Sequence, residues 1–254
     1  MIPLRYFIQF SYFGKAYHGW QNQPNAITVQ EVLEKALSTL LREKVEVVGA
    51  GRTDAGVHAR QMFGHFDFEP ISDTDDLIYR LNAFLPDDIA VQGVHQVVDE
   101  AHARFDAVER TYEYWLVQEK DPFLFDHAHF VKHPLDMGAM NEAAKILLEH
   151  TDFECFSKSN TDVKTYNCDV REAHWKIDDD KWVFAITADR FLRNMVRAVV
   201  GTLLDVGMGK MPAEDIHQII ASKDRGEAGV SVPAKGLYLT KVLYPKEIFD
   251  EQKG

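Results

Sequence analysis

Cysteine is scarce in this sequence of 254 residues, as are basic side chains and long apolar runs. The two cysteines, Cys155 and Cys168, have no second pair nearby, which excludes a disulfide scaffold and a four-cysteine zinc site. No run approaches the ~18 apolar residues of a membrane span, so we expect no membrane partner. Lysine and arginine number 28 against 40 aspartates and glutamates, a net charge of −12. This balance excludes a protein that coats nucleic acid by bulk charge and leaves room for a local basic groove.

What the sequence does contain is an ordinary globular composition, with 46% hydrophobic and 27% charged residues. The length suggests one large domain or two of roughly 125 residues each. The first ten residues include one basic side chain and the polar Gln9 inside their apolar stretch, which is unlike a signal peptide. Together with two reduced thiols, this predicts a cytoplasmic protein.

The first half of the chain alternates two kinds of periodicity. Apolar residues spaced three and four apart follow a Thr28–Glu31 capping box and again follow residues 72–75, which predicts two amphipathic helices, the second ended by Pro86. Runs rich in aromatic and β-branched residues predict four strands, at 5–12, 45–48, 62–68 and 89–98. The resulting order, β-α-β-β-α-β, is that of a ferredoxin-like unit.

The second half repeats this order. Strands are predicted at 111–118, 170–177, 182–188 and 236–244, and helices at 137–148, at 190–206 and after Pro212. We therefore predict an α+β protein with two domains, 1–107 and 108–254, whose halves share a mostly antiparallel sheet with a central cleft. Both halves are acidic, with 9 basic and 15 acidic residues in the first and 19 and 25 in the second.

The most informative stretch is the glycine-rich loop GAGRTDAGVHAR at 49–60. A dinucleotide-binding loop needs a third glycine where this chain has Asp54, whose carboxylate would repel a pyrophosphate. No Gly-Lys-Ser/Thr ending is present, so the loop is not a P-loop either. With Arg52 and Arg60 close in sequence, Asp54 has the features of a nucleophile or base beside a phosphate-bearing substrate. The alternative is an aspartate that only caps a turn.

This loop closely resembles the catalytic motif of the tRNA pseudouridine synthase A family. Further segments resemble the family in the same order along the chain: YHGWQ, VQE, LN, LPDDIAV, HARF, RTYEY, MVR and GLYL. The resemblance implies the pseudouridine synthase fold and isomerisation of uridine to pseudouridine with no cofactor and no metal. It also implies tRNA as the partner, modified in its anticodon stem-loop at positions 38, 39 and 40, and a homodimer.

The resemblance carries the family's site residues onto this chain. Asp54 is the catalytic carboxylate, Tyr112 stacks on the uracil and serves in proton transfer, and Arg197 is the ion-pair partner of Asp54. Three roles for Asp54 stay open: attack on ribose C1′, addition to uracil C6, or stabilisation of charge while a glycal-like intermediate forms. Arg52 is expected to enter the RNA stack or to hold the flipped nucleotide's phosphate, and Leu237 to form an apolar wall beside the base.

Other polar side chains are weaker candidates. Five are predicted to contact phosphate: His58, Arg60, His102, Arg104 and Arg193. In the predicted helix at 190–206, Arg190, Arg193 and Arg197 recur three and four residues apart, which places them on one basic edge. The alternative is a solvated charged face.

Several observations bear on competing interpretations. His127, His129 and His133 fit no common zinc spacing, so no metal site is predicted. Phe13 and Lys164 depart from the residues that many relatives carry, an acidic residue and an arginine. An RNA-binding or tRNA-folding module without essential catalysis remains the second hypothesis. A nucleotide-binding oxidoreductase is disfavoured by Asp54 and by the lack of a doubly wound βαβ series.

Overall fold

A computed structural model describes residues 3–158 and 163–249. They form two compact units: unit 1 lies within Met1–Glu109 and Leu239–Gly254, and unit 2 within Arg110–Tyr238. The sequence-based division placed the last segment with the second half. It lies with unit 1 because its backbone bonds there: the Val98 N–H donates to the Ile248 carbonyl, and the Val108 N–H to the Leu243 carbonyl.

Unit 1 is built on the strands β1 (Leu4–Tyr12), β2 (Val48–Gly49), β3 (His58–Phe68) and β4 (Ile89–Gln96). β1 pairs antiparallel with both β3 and β4, and β2 pairs antiparallel with β3. This is the strand order of a ferredoxin-like unit. Alternate residues of β1, Ile8 and Phe10 among them, are fully buried, whereas Gln9 and Ser11 are half-buried.

Two helices complete unit 1, α1 (Val29–Leu41) and α2 (Thr74–Phe84). The predicted capping at Thr28 is present, since its side chain accepts a hydrogen bond from the Glu31 N–H at 3.3 Å. Asp73 caps α2 in the same way, accepting from the Asp76 N–H at 2.9 Å. α2 ends at Phe84 and is followed by the extended C-cap residue Leu85, immediately before Pro86, as predicted.

The predicted strand at 45–48 is displaced to β2. Side chains of α1 form hydrogen bonds with backbone groups that would otherwise pair with a neighbouring strand. The Val47 N–H donates to Glu34 Oε1 at 2.8 Å, and Gln30 donates to the Val47 carbonyl at 2.9 Å. Only Val48 and Gly49 remain available to pair with β3.

Unit 2 contains the strands β5 (Glu109–Val117), from Arg110 onward, β6 (His129–Phe130), β7 (Val170–Asp178) and β8 (Lys181–Ala188). β8 pairs antiparallel with β5 and with β7, and β6 lies parallel to β5. The last strand, β9 (Leu237–Leu243), begins in unit 2 and ends in unit 1. The predicted α+β class with mostly antiparallel strands is therefore confirmed.

The helices of unit 2 are α3 (Met137–Ile146), α4 (Met195–Gly207) and α5 (Asp215–Ser222). Asp136 caps α3, because its side chain accepts a hydrogen bond from the Ala139 N–H at 3.0 Å. α4 is nearly all buried and starts at Met195, five residues later than predicted, after a left-handed Asn194 with φ of 67°. Arg190 and Arg193 precede the helix, so the prediction that they share a helical edge with Arg197 is wrong. Within the described ranges, no helix has the length and apolar character needed to cross a membrane.

Candidate active site

The glycine-rich loop connects β2 to β3, and Asp54 begins a tight turn within it. The Val57 N–H donates to the Asp54 carbonyl at 3.1 Å, and Gly56 has a positive φ of 77°. At the other end of the loop the Ala50 N–H donates to the Phe63 carbonyl at 2.8 Å. Asp54 is half-buried. The loop therefore has a defined shape on both sides of its carboxylate.

A second segment, residues 12–20 between β1 and α1, holds the loop on either side of Asp54. On one side, the Tyr12 hydroxyl lies 2.8 Å from Thr53 Oγ1, and the Trp20 N–H donates to the Thr53 carbonyl at 3.4 Å. On the other, the Gly56 N–H donates to the Tyr17 carbonyl at 3.3 Å. The backbone at Asp54 is thus fixed by contacts to residues 33 to 41 positions earlier.

Tyr17 is fixed in turn by the turn that precedes β4. Its hydroxyl donates to Asp88 Oδ1 at 2.6 Å, and the Phe13 N–H donates to the Asp88 carbonyl at 2.8 Å. Burial, and then this hydrogen bond, raises the pKa of Tyr17 well above its ordinary value, so the phenol remains a donor. Sequence reasoning missed Tyr12, Tyr17 and Asp88 as supports of the loop. Tyr17 and Asp88 lie in segments that resemble the family, but no spacing links them.

His58 lies inside this support, not at a surface that phosphate could reach. Only 1% of the residue is exposed, and its Nδ1 accepts from the Gly14 N–H at 2.8 Å. The Phe13 ring stacks on the imidazole with centroids 4.3 Å apart and planes within 6°. The prediction of a phosphate contact for His58 is wrong in this structure. Phe13, which departs from the usual acidic residue, packs against His58 through its ring face.

The predicted cations of unit 1 lie at the surface. Arg52 in the loop, Arg60 near the start of β3 and Arg104 in the segment before β5 are all exposed. Exposure is what a phosphate contact requires, and the guanidinium fork can donate two hydrogen bonds to one phosphate. Arg52 lies two residues before Asp54 and Arg60 six residues after it, whereas Arg104 lies on a separate loop of unit 1.

Unit 2 holds the other predicted site residues. Tyr112 lies on β5 opposite Ile186 of β8, is half-buried, and makes an edge contact with Phe191 at 5.1 Å between ring centroids. Leu237 is 6% exposed and directly follows the turn Ala234–Gly236. These positions allow either a site role or ordinary packing for both side chains.

Arg197 stands in the first turn of α4 and is held by the segment 229–233. Its Nε donates to the Val232 carbonyl at 2.7 Å, and the Val232 N–H donates back to the Arg197 carbonyl at 3.1 Å. The next residue, Pro233, accepts from the buried Tyr114 hydroxyl at 2.9 Å. Burial raises the pKa of Tyr114, and the positive charge of Arg197 acts in the opposite direction. Arg193 lies before the helix and is exposed.

The sequence matches the family described as tRNA pseudouridine synthase over residues 8–106 and 143–245. The chain belongs to the tRNA pseudouridine synthase family. A relative named tRNA pseudouridine synthase A, from Parabacteroides distasonis, is 54% identical over 246 residues, which are 96% of this chain and 98% of the relative. Another relative of that name, from Bacteroides thetaiotaomicron, is 53% identical over 251 residues, 98% of this chain and 93% of the relative.

Membership of the tRNA pseudouridine synthase family confirms the resemblance predicted from the sequence. The loop that carries Asp54 lies within the first matched range, and Arg197 and Leu237 lie within the second. Tyr112 lies between the two matched ranges. In the part of the chain that the structure describes, no cluster of three histidine, cysteine or acidic side chains is arranged to hold a metal ion.

Proposed function

We propose that this protein isomerises uridine to pseudouridine in tRNA, at positions 38, 39 and 40 of the anticodon stem-loop, with Asp54 as the catalytic carboxylate. Membership of the tRNA pseudouridine synthase family gives the reaction. The observation that carries the site is the loop around Asp54, which is hydrogen-bonded on both sides to residues 12–20. A half-buried carboxylate on a loop fixed in this way suits chemistry that depends on position.

The reaction changes one bond for another without loss of atoms. The bond between uracil N1 and ribose C1′ breaks, the base turns, and C5 bonds to C1′. The proton on C5 then leaves, and N1 gains a proton. Asp54 has three possible roles in these steps: attack on C1′, addition to uracil C6, or stabilisation of charge while a glycal-like intermediate forms.

The other site residues take the roles that the family resemblance implies. Tyr112 stacks on the uracil and assists the proton transfer, and Arg197 forms an ion pair with Asp54. Leu237 provides an apolar contact beside the base. Arg52 is exposed next to Asp54, where it holds the phosphate of the nucleotide that must leave the RNA stack. Arg60, Arg104 and Arg193 are exposed and serve as phosphate contacts.

We further propose that the protein works in the cytoplasm as a homodimer. Cys155 and Cys168 are unpaired and buried, and burial raises the pKa of each thiol to about 12, which suits inert thiols in a reducing compartment. The dimer rests on the family resemblance. Sedimentation equilibrium of the purified protein measures it directly.

The test uses unmodified tRNA transcripts, with pseudouridine mapped by carbodiimide adduct stops in primer extension. The wild-type protein is expected to modify positions 38 to 40, and Asp54→Asn is expected to form no pseudouridine above background. Asp87→Asn is the matched control, because Asp87 is an exposed carboxylate of unit 1 outside the loop.

Each part of the proposal fails separately. If the wild-type protein binds the transcripts but forms no pseudouridine, the protein is an RNA-binding module and the enzymatic proposal is wrong. If Asp54→Asn keeps full activity, the assignment of the carboxylate is wrong. If the protein modifies only uridines outside positions 38 to 40, the proposed specificity for the anticodon stem-loop is wrong.

A further inference from the structure

The loop at 101–106 of unit 1 is held by an unusual number of side chains. The Ala103 N–H donates to His65 Nδ1 at 3.1 Å, and the Ala103 carbonyl accepts from the Tyr244 hydroxyl. Arg5 Nη1 donates to the Ala101 carbonyl at 3.0 Å. Three elements far apart in sequence therefore hold this short piece of backbone.

Residues of the loop also form hydrogen bonds with one another. His102 Nδ1 accepts from the N–H groups of Arg104 and Phe105, at 3.1 and 3.3 Å. The His102 N–H donates to Asp106 Oδ2 at 2.7 Å. Together with the contacts of Ala101 and Ala103, these bonds leave the backbone at 101–106 little freedom.

Both histidines must be unprotonated at Nδ1 to accept these bonds. Burial lowers the pKa of His65 to about 4, with Arg5 and His102 adding to the effect and Asp67 and Asp106 opposing it. Burial also lowers the pKa of His102. Both imidazoles therefore keep their acceptor nitrogens at neutral pH.

This well-held loop presents an aromatic ring to solvent. Phe105 is 74% exposed, the Arg104 guanidinium lies 5.6 Å from its ring centroid, and the His102 ring lies 4.3 Å from it. Folding gains little from a phenylalanine left in water. A ring fixed beside a cation is, however, the arrangement on which nucleobases stack in proteins that bind single-stranded RNA.

The surroundings favour RNA over an apolar protein partner. His65 shares a sheet face with Gln9, because Phe7 pairs with His65 and Gln9 with Phe63. Farther along β1, Ser11 accepts a hydrogen bond from the exposed Gln92 at 2.8 Å. On this face Phe7 and Phe63 are buried under the rings of Tyr244 and Phe249. The apolar side chains beside His65 are therefore already covered, and an apolar partner would gain little by docking there.

We propose that Phe105 and Arg104 form a second contact for the tRNA substrate, in which an unpaired nucleobase stacks on the Phe105 ring and an adjacent phosphate pairs with Arg104. This contact rests on the proposed function for the identity of the RNA. His65 and His102 are its positioning residues. His65 is seven residues along β3 from His58, about 23 Å of strand, so the contact acts on binding and not on the reacting uridine.

Affinity for a fluorescently labelled, unmodified tRNA transcript tests the proposal. Phe105→Ala is expected to raise the Kd about 10-fold, within the roughly 5- to 150-fold range for loss of one stacked base. Phe105→Trp is expected to bind as the wild-type protein does, because the indole also stacks. The matched control is Tyr79→Ala, which removes a ring of equal exposure, 75%, from α2.

The rate of pseudouridine formation in a single turnover, with enzyme saturating, is expected to be unchanged in Phe105→Ala. A Kd within twofold of the wild-type value overturns the proposal, as does Phe105→Trp binding as weakly as Phe105→Ala. An unchanged Kd with an altered sedimentation profile assigns the ring to a protein contact instead. The Kd tests this contact, and pseudouridine formation tests the proposed function. A wild-type protein that forms no pseudouridine therefore contradicts the proposed function, whereas the Kd values still decide the contact.

Discussion

Gly19 lets the segment 12–20 approach the loop of Asp54. Its φ is +86°, in the region that favours glycine, and a Cβ built there would lie 2.2 Å from the Thr53 carbonyl oxygen. Gly51, in the loop itself, lacks this constraint, because a Cβ there would meet no atom within 4 Å. The close approach to the loop thus requires glycine at position 19 and not at position 51.

Gly19→Ala is expected to lower the free energy of unfolding by about 2–4 kcal/mol, since it combines a strained φ with a backbone clash. Because the clash falls on the residue before Asp54, we also expect the single-turnover rate to drop at least about 10-fold. Urea denaturation and single-turnover assays below the melting temperature measure the two effects.

Gly51→Ala is the control and is expected to retain stability and rate. Equal losses in both variants would mean that the loop needs flexible glycines in general and not a close approach at Gly19.

Individual residues also set the limit of what could be predicted. The position of Asp54 in a glycine-rich loop after a strand was predictable, because the motif is contiguous in sequence. The bonds from Tyr12 and from Tyr17 to this loop, and from Tyr17 to Asp88, join residues dozens of positions apart, and no periodicity marks them. His58 was misassigned because sequence gives no measure of burial for a polar side chain in a motif.

Among the elements, α4 shows why a helix start is hard to place. The apolar spacing of Leu192, Val196 and Val199 continues upstream of the true start, and no proline or capping serine interrupts it. The helix nevertheless begins at Met195. Asn194 takes a left-handed conformation, and its side chain donates to Ser231 Oγ at 2.7 Å. Tertiary contact with the segment 229–233 thus sets the boundary, and local propensity does not.

The same segment packs closely against the middle of α4. A Cβ at Gly201 would lie 1.9 Å from the Val230 carbonyl oxygen, and the Gly229 N–H donates to Thr202 Oγ1 at 2.9 Å. Two residues after Val230, the Val232 carbonyl accepts from Arg197 Nε. The close helix packing and the anchoring of Arg197 therefore depend on one short piece of backbone.

Gly201→Ala is expected to lower the free energy of unfolding by about 2–4 kcal/mol, because the added Cβ clashes with the segment 229–233. The single-turnover rate, measured at a temperature where the variant is folded, is also expected to fall, because the displaced segment no longer anchors Arg197. Gly207→Ala, in the same helix, is the matched control. Its Cβ would meet mainly the Met140 side chain, which has rotamers to move aside, and alanine favours the helix by about 1 kcal/mol.

Thermal and urea denaturation of the two variants, with single-turnover rates, give the comparison. If Gly201→Ala is as stable and active as Gly207→Ala, the segment 229–233 adjusts freely and does not anchor Arg197.

For the whole molecule, the α+β class and the β-α-β-β-α-β order of the first half were predictable because strand and helix periodicities alternate cleanly. The return of the chain end to unit 1 was not. The bonds from Val98 to Ile248 and from Val108 to Leu243 span more than 130 residues, and nothing local to residues 239–249 specifies their partners. Domain limits drawn along a sequence assume contiguous segments, and this chain departs from that assumption.

The charge of the whole molecule shapes how it must bind RNA. With a net charge of −12 and both halves acidic, attraction to phosphate has to come from a few placed cations. The exposed arginines among the predicted contacts number four: Arg52, Arg60, Arg104 and Arg193. Four phosphate contacts predict that log Kd for tRNA rises with log salt concentration with a slope of about 3 to 4.

Titrations of unmodified tRNA across a series of KCl concentrations measure this slope. Arg60→Ala is expected to lower it by about 1, because one phosphate contact and its released counterion are lost. Lys35→Ala, at an exposed position on α1, is expected to leave it unchanged. A slope near 8, or an equal effect of both variants, would contradict this prediction. RNA binding would then depend on cations spread over the surface and not on the four named arginines.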